Sequence, residues 1–440
     1  MSKSLKIFAV IIGLFPFTSC LAAEMSEFSV MGDLRWRYEY RNNADFLETS
    51  NDASNFHLGR ARIGVQAQAM SNTWGLIQFQ DSRYWGEELN AAGQYPFTTY
   101  DGSARTFDVH QAFMQIDHLW GSDFSVKLGR QELSYGDERL IGADEWNNIG
   151  QSFDGGKVMF TSQRFDFDVF YTAHVPFYPM FSTLNPFVPP GAGGNNGNIT
   201  FSGFYGSAKP IEELTWDGYL LLLYDGNTAP DKSWIWTIGT RATGVVAEQF
   251  DYNGEFAFQF GNFNTLDQSA FAMALKGGYT FPTSVEPRVG LSFAFASGDD
   301  GTDPTESHTF FSLFPSPHGK FGKMDYQDWS NMVNLGLHGS VKPASPFKLK
   351  GGLNFFWLEE DADFWYQPYG FVFDAPGAWG GAGDDSKSIG TEFDVGVHYD
   401  YNAAVGFDAG FSHFFGGERL EQEGAPDNST WFYAGTKLTF

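Results

Sequence analysis

From residue 28 to the last residue, apolar and polar side chains alternate with a period of two. After the first two dozen residues no apolar run is long enough to form a membrane helix. Crossing a bilayer as a helix takes about 20 consecutive apolar residues. A strand instead sends successive side chains to opposite faces. In the segment 28–40 the even positions are Phe28, Val30, Gly32, Leu34, Trp36, Tyr38 and Tyr40, and the odd ones Ser29, Met31, Asp33, Arg35, Arg37 and Glu39. Ala61, Ile63, Val65, Ala67 and Ala69 likewise oppose Arg60, Arg62, Gln66 and Gln68, and Phe393, Val395, Val397 and Tyr399 oppose Glu392, Asp394, His398 and Asp400. Each segment has one greasy and one charged face.

A soluble sandwich also alternates, so the connections decide between the two. Strands are expected near 28–40, 56–70, 73–83, 106–117, 123–131, 156–162, 165–175, 199–208, 214–225, 234–243, 249–260, 269–281, 287–297, 330–342, 346–358, 390–401, 404–415 and 430–440. Long connections (41–55, 84–105, 132–155, 176–198, 298–329, 359–389, 416–429) are interleaved with short ones such as Ser71-Asn72, Gln163-Arg164 and Asn402-Ala403. Long extracellular loops alternating with short periplasmic turns are the connectivity of outer-membrane barrels. Aromatics form 18% of the chain, more than a soluble core hides and suited to a lipid-facing wall with two interfacial girdles. The expected fold is therefore all-β: a transmembrane antiparallel barrel of about eighteen strands, closed because unpaired backbone groups cannot face hydrocarbon.

The ends agree. Lys3 and Lys6 followed by the apolar stretch Ile7–Phe17 and Leu21-Ala22-Ala23 read as a signal peptide over residues 1–23, leaving one barrel domain over 24–440. Phe17-Thr18-Ser19-Cys20 loosely resembles a lipoprotein box. Cys20 is the only cysteine, so disulfides and thiolate metal sites are not expected in the mature chain. The final strand ends on Phe440, which resembles the recognition signal of the outer-membrane assembly machinery. Expected partners are thus the lipid bilayer, lipopolysaccharide, that machinery and a saccharide solute. A net charge of −26 excludes a nucleic-acid partner, since no basic surface remains to neutralise phosphates.

The stretch from Gly129 to Gly156, GRQELSYGDERLIGADEWNNIGQSFDGG, resembles the signature region of the alginate-export family of outer-membrane barrels. Gly129-Arg130-Gln131, Tyr135-Gly136-Asp137, Arg139-Leu140, Gly142, Trp146-Asn147 and Phe153-Asp154-Gly155 carry the likeness. Leu34-Arg35-Trp36-Arg37 with Glu39, and Gly59-Arg60-Ala61-Arg62, match upstream. The resemblance implies an eighteen-stranded barrel whose charged lumen passes a polysaccharide or another anionic or neutral sugar.

Ten of the thirteen arginines lie between Arg35 and Arg164. Arg35, Arg37, Arg60 and Arg62 fall on the polar phase of the first two strands, and Arg130 and Arg139 flank and enter the signature loop. A planar guanidinium gives a carboxylate two hydrogen bonds and does not lose its proton. Two readings stay open: a basic strip guiding uronate carboxylates, and a structural network in which Asp33, Glu39 and Asp108 pair with the arginines. Asp137, Asp154, Glu39 and Trp146 complete the expected pore-lining or substrate-guiding set. Asp166, Asp168, Asp251, Glu255, Glu392, Asp394 and Asp400 are expected to form an acidic wall facing the arginines across the pore. The 132–155 loop is the expected segment to fold into the lumen. Asp299-Asp300-Gly301-Thr302-Asp303 with Glu306 lacks the terminal bidentate glutamate of a calcium loop and reads as a solvated acidic loop. No catalytic residue, metal site or cofactor is expected. The nine histidines are scattered singly, and no nucleophile elbow or zinc motif is present. Passive saccharide transport is the leading function, a general or nutrient-specific uptake porin the alternative, and a barrel enzyme or adhesin the remaining classes.

Overall fold

A computed structural model describes residues 27–48, 53–86, 106–175, 199–226, 231–368, 371–372 and 385–440. The signal segment 1–23, the glycine-rich stretch 191–198 and most of 377–385 lie outside the described residues. The first six wall strands are β1 Glu27–Asn42, β2 Ser54–Met70, β3 Thr73–Gly86, β4 Thr106–Ile116, β5 Phe124–Gln131 and β6 Ser152–Thr161. Next come β7 Phe165–Val175, β8 Ile199–Ile211, β9 Leu214–Asp225, β10 Ser233–Val246, β11 Phe250–Phe263 and β12 Leu266–Thr280. The wall ends with β13 Arg288–Ala296, β14 Met332–Ala344, β15 Phe347–Trp357, β16 Ser388–Asp400, β17 Val405–Gly416 and β18 Ser429–Thr439.

Each strand pairs antiparallel with its chain neighbours, and β1 closes on β18 from Asp33↔Thr439 to Asn42↔Thr430. The last residue completes the seam: Gly32 N–H donates to Phe440 O at 2.9 Å and Phe440 N–H to Gly32 O at 3.0 Å. An even strand count makes this closure antiparallel and puts both ends of the wall at the short-turn rim. Among the described residues no helix is long and apolar enough to cross a membrane, so the strands make the crossing.

The greasy phase points outward. Phe28 is 67% exposed and Leu291 61%, with Val30, Leu34, Ile63, Val65, Val169, Leu275, Leu337 and Val395 alongside. Lipid, not water, is the environment in which these residues are stable, at about 1.5–3 kcal/mol for each large side chain fully removed from water. The alternation of long and short connections breaks between β11 and β12. The expected gap at 261–268 is a two-residue turn, Asn264-Thr265, because Phe263 and Leu266 remain paired. Gly261, at φ +139°, lets β11 run on through a Gly/Asn-rich stretch that reads as a loop.

The lumen-side phase of the upper wall is unexpectedly apolar. Ala257, Ala270, Ala272, Ala274, Ala294 and Ala296 are all buried there. Their small side chains leave room for Phe310, Phe311, Leu313, Phe314, Met324 and Trp329 of the β13–β14 loop, which form one buried cluster with Phe46, Leu140, Phe153, Phe201, Trp365 and Phe414. The long-loop half of the barrel is thus filled by chain.

Candidate functional site

Two loops fill the lumen. The first, residues 132–151 between β5 and β6, descends along β1–β3 and is held by the lumen-facing arginines. Arg35 donates to the backbone oxygens of Glu145 (2.7 Å), Trp146 (2.9 Å) and Asn147 (3.0 Å) and to Asn148 Oδ1 (3.1 Å). Arg37 donates to Trp146 O at 2.7 Å and to Glu39 Oε1 at 2.6 Å. Arg60 reaches Glu145 O (3.2 Å), Asn147 O (3.3 Å), Glu145 Oε2 (2.8 Å) and Asp33 Oδ1 (3.2 Å). Arg62 pairs with the other Glu145 oxygen and donates to Gln80 Oε1 (2.6 Å) and Ile149 O (3.0 Å). The chain leaves this cradle through Gly150, at φ +80°, where a Cβ would stand 2.5 Å from Arg62 Nη2. Burial alone would raise the Glu145 carboxyl, but Arg60 and Arg62 hold it well below the usual carboxylate range.

The second loop, 297–331, enters from the other side. Gln259 and Gln268 donate to Phe311 O (2.7 Å) and Thr309 O (2.8 Å). Glu392 Oε1 accepts Met324 N–H at 3.0 Å and also Lys323 N–H. That approach needs Gly322, at φ +86°, whose Cβ would sit 2.6 Å from both Glu392 oxygens. The loops join where Phe314 N–H donates to Leu140 O (2.9 Å), Gly142 N–H to Phe314 O (2.9 Å) and Ser316 N–H to Glu138 O (2.9 Å). A second junction stacks His318 on Trp146 with ring centroids 3.7 Å apart, while Arg37 lies 3.9 Å over the same indole. Trp431 and Tyr433 meet Trp146 edge-on. Burial drives the His318 imidazole down to about 4, against the pull of Asp325, whose carboxylate is 2.6 Å away.

Next to this plug lies a ladder of tyrosines. Tyr135 stacks on Tyr205 (4.6 Å) and Tyr205 on Tyr219 (5.5 Å). Their hydroxyls donate to Asp168 (2.7 Å), Asp217 (2.9 Å) and Glu255 (2.8 Å), and Lys157 and Arg241 neutralise Asp168 and Asp217, each at 2.8 Å. Asp137 faces Arg139 at 3.0 Å, and its backbone oxygen accepts the Lys320 ammonium. Tyr205 and Tyr219 are buried within this stack.

Of the residues expected to line the pore, Arg35, Arg37, Arg60 and Arg62 converge on the Glu145–Ile149 segment that contains Trp146, Glu39 bonds Arg37 behind them, and Asp137 and Arg139 meet on the same loop. Arg130 and Asp154 do not belong with them. They are register partners in the phase of Leu128, Val126 and Val158, facing outward near the long-loop rim, where Arg130 Nε and Nη2 bind Asp154 at 2.8 and 2.9 Å. The apolar run Phe124-Val126-Leu128, continued by two residues, already placed Arg130 outside.

The expected acidic wall is not one-signed either. Asp251 is bound by Arg288 (2.6 and 2.8 Å), Asp168 by Lys157, and Asp400 by His398 (2.9 Å), while Asp394 takes Ser412 Oγ (2.5 Å). The lumen phase of the neighbouring strands β12, β13 and β15 carries Lys276, Arg288, Lys348 and Lys350, which the expected acidic wall leaves out. Lys276 feels the charges of Arg139 and Arg288, and Lys350 those of Lys323 and Lys348. Extending the period-two count to every strand finds all four. Among the described residues His110, Glu132 and Glu145 have metal-ligand spacing. The Arg62 guanidinium already occupies the place of a cation there, bonded to Glu145 and 3.5 Å from Glu132.

The sequence model described as alginate export matches residues 26–433. No curated protein matches. Solved structures share the fold. OccAB1 of Acinetobacter baumannii aligns with a TM-score of 0.62 at 11% identity over 95% of this chain and 99% of that one. OccK8 (OprE) of Pseudomonas aeruginosa gives 0.60 at 10% over 94% and 98%. The outer membrane protein OprD of the same organism gives 0.58 at 11% over 95% of each. The barrel is that of bacterial outer-membrane porins.

Proposed function

The chain belongs to the alginate-export family, and from that premise we propose that this outer-membrane channel is a solute-selective porin for small hydrophilic nutrients. Its preferred solutes on this reading are short, carboxylate-bearing saccharides. The observation that carries it is the bonded junction of the two loops inside the barrel, Leu140–Gly142 on Phe314 and Ser316 on Glu138. A lumen crossed by ordered chain suits a small solute moving past paired charges better than a wide general pore. The porin fold of the OprD-like structures supports the same side. Passive diffusion has no direction of its own, so the concentration gradient sets uptake or release, and no chemical step is assigned to the channel.

Export of a polyuronate is the second reading, favoured by the family and by the four lumen arginines on β1 and β2. Reconstitution in planar bilayers separates the two. A selective porin gives small steps that mono- and oligo-uronates block briefly while long polymer does not enter. A polymer conduit gives long blockades whose duration grows with chain length, and that result overturns the nutrient reading.

A further inference from the structure

Glu145 differs from the carboxylates around it. Its side chain is 47% exposed, whereas those of Arg60 and Arg62, which bind its two oxygens, are 1% and 3% exposed. The carboxylate therefore lies on the open side of a buried pair of guanidinium forks. The peptide that carries it is anchored independently. Arg35, Arg37, Arg60 and Arg62 all hold backbone oxygens between Glu145 and Ile149, and Ser82 Oγ donates to Asn148 O at 2.7 Å. The carboxylate can swing into the lumen while the loop keeps its path.

We infer that the Arg60–Arg62 pair is a carboxylate-binding site and that Glu145 is its tethered occupant, displaced by the carboxylate of an anionic solute. The inference rests on the channel reading and names the chemistry of one site along it. Charge balance explains why the site needs an occupant. Asp33 stands 3.2 Å from Arg60 and Glu132 3.5 Å from Arg62, but neither is placed to satisfy both forks at once, as Glu145 does. An exchange of one carboxylate for another keeps the arginine pair neutralised and its charge-assisted hydrogen bonds unchanged in number, while the displaced Glu145 carboxylate is taken up by water in the lumen. A solute anion can then bind and leave without falling into the deep trap that two bare, buried arginines would make. Conduction needs binding of this kind, favourable enough to enter and weak enough to leave.

The test uses the full-length protein in planar bilayers with D-glucuronate as blocker and D-glucose as the neutral control. Glu145→Gln keeps shape and removes the competing charge, so the glucuronate concentration for half-block is expected to fall by about tenfold or more. Glucose is expected to act equally on both proteins, and the reversal potential in a KCl gradient to move toward chloride. Unchanged or weakened glucuronate block, in a variant that conducts and retains a heat-modifiable folded band, overturns the inference. Glu145→Asp serves if the Gln variant fails to fold: its shorter reach loosens one fork and is expected to strengthen block by a smaller factor, and no change overturns the inference equally. Absence of any conductance from the wild-type protein would instead sink the channel reading, which keeps the two failures distinct.

Discussion

Arg35→Ala is the sharpest test of how the plug is held. Arg35 makes four hydrogen bonds to the segment 145–148, three of them to backbone oxygens, at 2.7–3.1 Å. Hydrogen bonds from a charged donor are worth about 1.5–3 kcal/mol each, but carbonyls released toward a wet lumen regain water and recover much of that. A net loss of about 3 kcal/mol in loop docking is the resulting expectation, which shifts the docked-to-released ratio by roughly 150-fold. Arg37, Arg60 and Arg62 remain in place, so the barrel stays folded and only the plug loosens. In planar bilayers the variant is expected to show a larger mean conductance and more frequent transitions, and in detergent a new protease-sensitive site near 145–149. Arg35→Lys preserves the charge and removes the planar fork, so it separates electrostatics from hydrogen bonding and is expected to fall between the two. Conductance, noise and cleavage pattern identical to wild type in Arg35→Ala would refute the reasoning.

His318 has its docked-state proton affinity pushed down to about 4 by burial, below the 6.5 of a free imidazole, so the docked loop resists protonation. The stabilisation from the neutral ring is complete above about 6.5 and lost as pH falls toward 4, at most about 3 kcal/mol. Conductance and amide exchange of residues 314–326 are expected to rise over that window and to stay flat in His318→Phe. Gly322→Ala forces a Cβ to 2.6 Å from the Glu392 carboxylate at φ +86°, costing about 1–3 kcal/mol of loop docking. The measurement is faster exchange at Lys323 and Met324 with unchanged barrel unfolding. Arg130→Ala, on the outward face, is expected to leave conductance and uronate block unchanged and to cost no more than about 1 kcal/mol; altered block would place that side chain in the lumen after all.

The wall was readable because one rule governs it everywhere: hydrocarbon on one side fixes every second residue. Phe28 through Tyr40 and Phe393 through Tyr399 needed no more than counting, and all eighteen strands follow. The plug obeys no such period. Its positions are set by a few long-range partners, such as Gln259 to Phe311 and Glu392 to Met324, separated by 52 and 68 residues. The sequence did contain a trace of it. The alanines at 257, 270, 272, 274, 294 and 296 occupy the polar phase of β11–β13, where a water-filled lumen has no use for them, and small apolar residues there imply that something apolar fills the space opposite. The arginines misled in a different way. Arg35 and Arg60 were placed correctly by phase, yet their partners are carbonyls of a loop over 80 residues away, which no local pattern encodes.

The same phase count shows how a strongly acidic chain can carry cations inside its barrel. The net charge of −26 belongs to the whole sequence, but charge acts on a solute by where it sits. Acidic side chains crowd the long-loop rim, with Asp300, Asp303, Glu306, Glu359 and Glu360 in the connections above β13–β16. Lys276, Arg288, Lys348 and Lys350 lie on the lumen phase near the short-turn ends of β12, β13 and β15. Exposed rim charges are screened within about 8 Å at physiological ionic strength, whereas partly buried ones inside a low-dielectric wall are screened far less. Inside the barrel the cations stand beside acids of the same phase, as Arg288 does on Asp251 and Lys157 on Asp168, so the lumen field is mixed, whereas the exposed acidic loops act at the outer surface. The arginines around Glu145 on β1 and β2 and the cations near the short turns of β12, β13 and β15 thus stand on different parts of the wall, each beside acids of its own.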